Sequence, residues 1–166
     1  MKLDFTQSLN KPENEFDFTF EWKYEDTVFN SIPHKPLAPG IVNVKYKSNY
    51  EGIIDLNLEI RIPFNFVCDK CADEFEKNLY IVASEKVEPW SEESESFTYD
   101  SNGEVDIEYI VNQVVLSSFP QQNLCSPNCK GLCNFCGVNL NYDSCNCKKN
   151  KIGKNNPFAD LLGLYK

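Results

Sequence analysis

Cysteine carries most of the chemical potential in this 166-residue chain, which has eight cysteines and one histidine. Six fall within LCSPNCKGLCNFCGVNLNYDSCNCK, as Cys125, Cys129, Cys133, Cys136, Cys145 and Cys147. The other two, Cys68 and Cys71, form a Cys-x-x-Cys pair far upstream. Eight thiols in two separated groups match the ligand count of two four-coordinate sites, and a structural Zn²⁺ takes four soft ligands in a tetrahedron. Disulfides are the competing use of cysteine. The N-terminus, MKLDFTQSLN, has no apolar stretch after its lysine, so no signal peptide is expected, and no run approaches the roughly 20 apolar residues of a membrane span. A cytoplasmic location follows as the expectation, and there thiols stay reduced and favour metal.

The best-defined half-site is Cys133-Asn-Phe-Cys136-Gly137, where the glycine can take the backbone angles of a tight knuckle and Gly131 loosens the approach. Cys145 and Cys147 follow after a short loop and complete one set of four. Cys125 and Cys129 are then left to join Cys68 and Cys71 in a long-range set. A second pairing remains open, with Cys125, Cys129, Cys133 and Cys136 on one ion and Cys145 and Cys147 reaching Cys68 and Cys71. Iron–sulfur is the other metal option for four cysteines. A redox dithiol is a third reading of Cys68-x-x-Cys71, but such a motif should open a helix, whereas this pair is bracketed by strand patterns. Two zinc sites are the expectation.

Catalysis is not expected. The chain has no Gly-rich phosphate loop, no serine–histidine arrangement and no carboxylate pair. A catalytic zinc keeps one position open, and two closed four-cysteine sites leave none. His34, in the proline-rich loop SIPHKPLAPG, has no partner nearby in sequence and reads as a solvated side chain.

The elements that must position the thiols follow from periodicity. Phe16, Phe18, Phe20, Trp22 and Tyr24 alternate with polar residues, as do Val42, Val44 and Tyr46, the period of half-buried strands. The longest alternation runs through Ile54, Leu56, Leu58, Ile60, Ile62, Phe64 and Phe66 to Cys68. One strand of that length would span roughly 50 Å at about 3.3 Å per residue, so Pro63 is expected to bend or break it. Phe75, Leu79 and Ile81 restart the alternation, which places Cys68 and Cys71 at a hairpin turn. The loop 31–40 is too proline-rich for an inner strand. Ser91–Gly103 is acidic, serine-rich and aperiodic, and reads as an exposed linker. A helix over 103–119 follows, with Asp106 as N-cap, an apolar stripe of Ile107, Ile110, Val111, Val114 and Val115, and Pro120 as its stop.

The fold class expected is α+β: a mostly antiparallel sheet with one packed helix, then a small cysteine-rich zinc-binding segment and a short C-terminal helix. The boundaries read as 1–120, 121–148 and 149–166. In the last stretch Asn156 caps, Pro157 suits the first turn, and Phe158, Leu161, Leu162 and Tyr165 share a face. So short a helix is not stable alone and must dock on its own sheet or on a partner.

Charge is unevenly spread. Residues 1–120 carry 10 Lys+Arg against 23 Asp+Glu, a balance of −13, and residues 121–166 carry 6 against 2, a balance of +4. Lys130, Lys148, Lys149, Lys151 and Lys154 either touch RNA or an acidic surface or simply solvate a linker. A chain with pI near 4.6 is not a general nucleic-acid coat.

Taken together, Cys68-Asp-Lys-Cys71 after an alternating strand, an acidic stretch, a helix ending in Phe119-Pro120, the run LCSPNCKGLCNFCGVNL and the closing NPFADLLGLYK resemble the YceD-like proteins. These are the large ribosomal RNA subunit accumulation proteins, and the resemblance covers roughly residues 40–166. It implies a non-enzymatic factor in large ribosomal subunit biogenesis, with ribosomal proteins or a large-subunit precursor particle as partners. Lys70 stands where many relatives have arginine, exchanging a bidentate fork for a point charge at any phosphate or carboxylate contact. Two modes of action compete: the lysines of the tail contact rRNA, or the acidic body holds a basic ribosomal protein. The rival classes are a zinc-thiolate redox sensor and a zinc-ribbon regulator binding nucleic acid, the latter weakened by the lack of a basic recognition helix.

Overall fold

The computed structural model describes residues 1–23, 35–94 and 96–147. In chain order its elements are β1 (Lys2–Asp4), α1 (Thr6–Asn10), β2 (Phe16–Trp22), β3 (Lys35–Pro36), β4 (Gly40–Ser48), β5 (Ile54–Val67), β6 (Glu74–Pro89), β7 (Phe97–Tyr99), β8 (Glu104–Asp106) and α2 (Ile107–Ser117). The class is mixed α and β with a mostly antiparallel sheet, in the order β2-β4-β5-β6-β7, and β3 also pairs with β5.

β5 is the axis. Ile54, Leu56, Leu58, Ile60, Ile62 and Phe64 are fully buried and Phe66 nearly so, all on one face. Each such side chain contributes about 1.5–3 kcal/mol by leaving water. β4 supplies Val42, Val44 and Tyr46 to that face, and β6 supplies Ile81 and Val87. α2 covers it with Ile107, Ile110, Val111, Val114 and Val115, every one buried. The Asp106 carboxylate caps the helix by accepting from the N–H groups of Glu108 and Tyr109. Trp22 Nε1 donates to Asn112 Oδ1 at 2.9 Å, tying the helix to β2. Phe119 closes the other end edge-on to Phe64, with centroids 5.6 Å apart.

Several expectations are corrected. β5 is not broken at Pro63: its 14 residues run unbroken against β6, from Ile54 opposite Val87 to Val67 opposite Glu74. The length is accommodated because β6 matches it on one side while β4 and β3 share the other. Pro63 falls between them. β4 pairing ends at Arg61 and β3 pairing begins at Phe64; between them Pro63 O still accepts from Leu37 N–H at 2.8 Å, so the proline costs the ladder only one donor. The loop 31–40 also contributes more than expected, since Lys35 and Pro36 pair with Asn65 and Phe64.

The stretch 91–103 is not simply a linker, because Phe97–Tyr99 joins the sheet parallel to β6. The helix starts at Ile107 rather than 103. Glu104–Asp106 is extended and pairs with β1, a strand that sequence periodicity does not reveal. Among the described residues no helix is long and apolar enough to cross a membrane. His34, Tyr24 and the short helix expected near the C-terminus lie outside the described residues.

Candidate metal centres

The β5–β6 hairpin ends in a six-residue turn, Cys68–Asp73, stitched by Cys68 N–H to Asp73 O and Ala72 N–H to Cys68 O, both 2.8 Å. Ala72 takes φ +60°, which lets the turn close tightly enough for both thiols to face one point. Both cysteines are 2% exposed.

The segment after α2 returns to this turn. Asp69 N–H donates to Asn123 O at 2.9 Å, and Asn123 N–H donates to Asp69 Oδ2 at 2.6 Å. That two-way link delivers Cys125 and Cys129, and the sulfurs of Cys68, Cys71, Cys125 and Cys129 all lie within 4.8 Å of one another. A second set, Cys133, Cys136, Cys145 and Cys147, meets the same limit. Of the two pairings the sequence allows, the chain adopts the long-range set plus the local set.

Distances test whether a metal fits. Four sulfurs at about 2.3 Å from one ion in a tetrahedron stand about 3.8 Å apart. In the first set Cys68 and Cys129 are 3.8 Å apart, and Cys71 and Cys125 are 3.6 Å apart. In the second, Cys133 and Cys145 are 3.3 Å apart, so that pair opens by about 0.5 Å around an ion. The donor sets therefore fit one ion each.

Protonation points the same way. Burial opposes charge on Cys68, but N–H groups of Cys125, Lys70 and Cys71 outweigh it and bring the thiol down to about 6. The N–H groups of Cys136 and Phe135 bring Cys133 to about 6. Asn141 Nδ2, 3.3 Å from Cys129 Sγ, lowers that thiol too. The crowded neighbours move up. Cys71 does so despite the Asp73 N–H that favours its thiolate, through burial and its bonds to the other three sulfurs. Cys147 is pushed to about 12 by Cys136 and by burial. Each set holds thiols biased toward the thiolate beside thiols biased away from it, a conflict that a cation at the centre would remove.

The two sets are physically joined. Gly131 has φ +73°, and a Cβ there would stand 2.9 Å from Lys70 O. That closeness lets Leu132 N–H donate to Lys70 O at 3.0 Å, pinning the local knuckle to the hairpin turn. Gly137 also has φ +73°, with its N–H donating to Cys133 O at 2.9 Å. A bridge between Leu132 and Asn139 closes the knuckle.

Asparagines complete the frame. Asn139 Nδ2 donates to Asp73 Oδ2 at 2.8 Å, and Asn141 Oδ1 accepts from Lys130 N–H at 2.8 Å. Sequence reasoning missed Asn123, Asn139 and Asn141; the Asn139-x-Asn141 spacing beside a knuckle is a signal that could have found the last two. Lys70 and Lys130 present exposed side chains beside the first set. The other residues proposed for RNA or partner contact, Lys148, Lys149, Lys151, Lys154, Phe158, Leu161 and Leu162, lie outside the described residues.

Comparison with known proteins adds identity. A family model described as large ribosomal RNA subunit accumulation protein YceD matches residues 56–165. A maize (Zea mays) protein, large ribosomal RNA subunit accumulation protein YCED homolog 1, chloroplastic, is 38% identical over 64 residues. The alignment covers 38% of this chain and 21% of the maize protein's length. No solved structure matches the chain.

Proposed function

Since the chain belongs to the YceD family, whose description names large-subunit ribosomal RNA accumulation, we propose that it is a non-enzymatic zinc-binding factor in large ribosomal subunit biogenesis. The observation that carries the metal part is the pair of four-sulfur clusters, each sized for a single ion. Sulfurs within 4.8 Å of one another leave room for one ion but not for a cluster's irons and sulfides, which favours zinc over iron–sulfur. Four cysteine ligands leave no open position for substrate, so the role of the metal is to fix shape.

The partner is a protein first and RNA second. The body through residue 120 carries a balance of −13, which repels phosphate and attracts a basic ribosomal protein or a precursor particle bearing one. Lys70 and Lys130 are the described cations positioned to touch RNA from the cysteine end.

Two measurements test the proposal. Depletion in cells is expected to lower large-subunit rRNA relative to small-subunit rRNA, with recovery from the wild-type chain but not from Cys71→Ser. Tagged protein should co-purify large-subunit proteins, in a salt-sensitive way. Unchanged rRNA balance on depletion would sink the assignment. Capture of naked rRNA that survives acid-face neutralisation but is lost on changing Lys70 and Lys130 would replace the protein-first mode with direct RNA binding.

A further inference from the structure

One edge of the sheet is open for part of its length. β7 pairs only with Val87–Pro89, and among the described residues no strand pairs with the stretch of β6 before it on that side. Leu37 N–H donates to Pro63 O, so Pro63 turns its backbone away from β6, and Asn78, directly opposite, turns its own away from β5. Trp90 N–H donating to Tyr99 O fixes the same parity at the far end. The N–H and C=O groups of Glu76, Asn78, Tyr80, Val82 and Ser84 therefore point outward, a template for another strand.

Both ends of this stretch meet a cavity. At its start, about 470 Å³ is lined by Phe75 and Lys77 of β6 and by Leu124, Cys125 and Pro127. At its end, about 850 Å³ lies between Glu85 and Lys86, Phe97 of β7, and Asp106 and Tyr109 at the head of α2. Between the two, Leu79 and Ala83 are half-buried on the core side, while Tyr80 and Val82 are exposed on the other face. β6 and the far cavity carry Glu74, Glu76, Glu85, Glu88 and Asp106 against Lys77 and Lys86. Neither Glu76 nor Glu85 has an ion-pair partner among the described residues.

We propose that residues 76–84 take a short basic peptide as an added antiparallel strand, its amino-terminal end in the cavity beside Glu85 and Asp106. On the ribosomal reading above, on which this source rests, the peptide is the N-terminal tail of a basic large-subunit protein. The added strand must end before Val87, where Phe97–Tyr99 holds the edge. A second copy's β6 laid antiparallel on this stretch would bring its Cys68–Asp73 turn against β7; a peptide simply stops short. Apolar side chains on the core-side row extend the Leu79–Ala83 surface, and those on the other row cover Tyr80 and Val82. An antiparallel direction brings an amine, not a carboxylate, to Glu85 and Asp106.

The test uses the full, metal-loaded chain under reducing conditions and a nine-residue peptide, amidated at its C-terminus, with lysine at both ends and valine alternating with threonine between them. In the proposed register the threonines face Asn78, Tyr80 and Val82 and bond to β6, while the valine N–H groups point away. N-methylation at the valines should leave affinity within about twofold, and at the threonines should lower it at least about tenfold. Glutamate at both peptide ends should also weaken binding about tenfold. Tyr80→Pro removes an outward N–H without touching the β5 ladder and should weaken binding with metal content and sheet signal unchanged. No binding up to about 1 mM peptide would overturn the proposal. So would equal loss with the two methylation patterns, loss with the valine pattern alone, or indifference to the charge of the peptide ends. In depleted cells, rescue of rRNA balance by Tyr80→Pro as full as by wild type would overturn the edge as the partner's site and leave the ribosomal reading standing. Peptide binding in the expected pattern with rRNA balance unchanged on depletion would keep the edge and overturn its ribosomal source.

Discussion

The sheet body and the cysteine segment are held by different physics. Through β4, β5, β6 and α2, fully buried branched and aromatic side chains form a continuous core. Over 121–147 the buried residues are Asn123, Cys129, Gly131 and Cys133, while Leu132, Phe135 and Tyr142 are exposed. The body has enough apolar burial to stand without metal. The segment has sulfurs, asparagine bonds and turns, and on the function proposed above an ion in each tetrad offsets the entropy of ordering about 27 residues. The hairpin turn Cys68–Asp73 is where the two regimes meet.

The largest expected effect separates the regimes outright. Stripping metal under reducing conditions removes binding worth about 10–16 kcal/mol in comparable sites. Hydrogen exchange should then show protection lost over 121–147 and retained along β4, β5 and α2. Loss of protection in both regions together would break the comparison. Leu58→Ala does the converse: at a fully buried site it should cost about 2–5 kcal/mol in denaturant unfolding of the body while leaving two ions bound.

A pair of glycines sharpens the junction. Gly131→Ala meets both a positive φ and the carbonyl of Lys70 at 2.9 Å, so it should cost about 1–3 kcal/mol and loosen the first site. Gly137→Ala has the same φ with nothing within 4 Å and should cost about 1 kcal/mol, leaving the first site intact. Metal-competition titrations read both; equal effects would mean the close approach to Lys70 contributes nothing.

Asp100 gives the smallest effect. Its carboxylate accepts the N–H groups of Glu104 and Asn102, which hold its pKa below the usual range. A depressed pKa contributes stability above the unfolded-state value that is lost as pH falls through the folded one. Asp100→Asn should therefore lower the body's denaturation midpoint at neutral pH, with the gap closing in acid.

What the sequence discloses follows from the same division. The even-numbered stripe through Phe66, the hairpin at Cys68 and the helix capped by Asp106 were legible because burial imposes a period. Lys2–Asp4, Lys35–Pro36 and Phe97–Tyr99 were not, since two or three residues carry no period and owe their extended form to a neighbour. Pro63 misled for a related reason: proline removes a donor but keeps its acceptor, and here the carbonyl still takes the Leu37 N–H while β6 runs unbroken on the other side. At the metal centres the thiol count was legible and the local set was suggested by its loop. The links through Asn123 and Asn139 were not, because an asparagine's partner 54 or 66 residues away is fixed only by the fold.

Metal counted per chain tests the two four-cysteine sites most directly. Elemental analysis should find two zinc ions in the wild type, one in Cys71→Ser and one in Cys136→Ser, because each substitution opens a different tetrad. A single ion in the wild type, or both ions lost with either substitution, would contradict two separate four-cysteine sites.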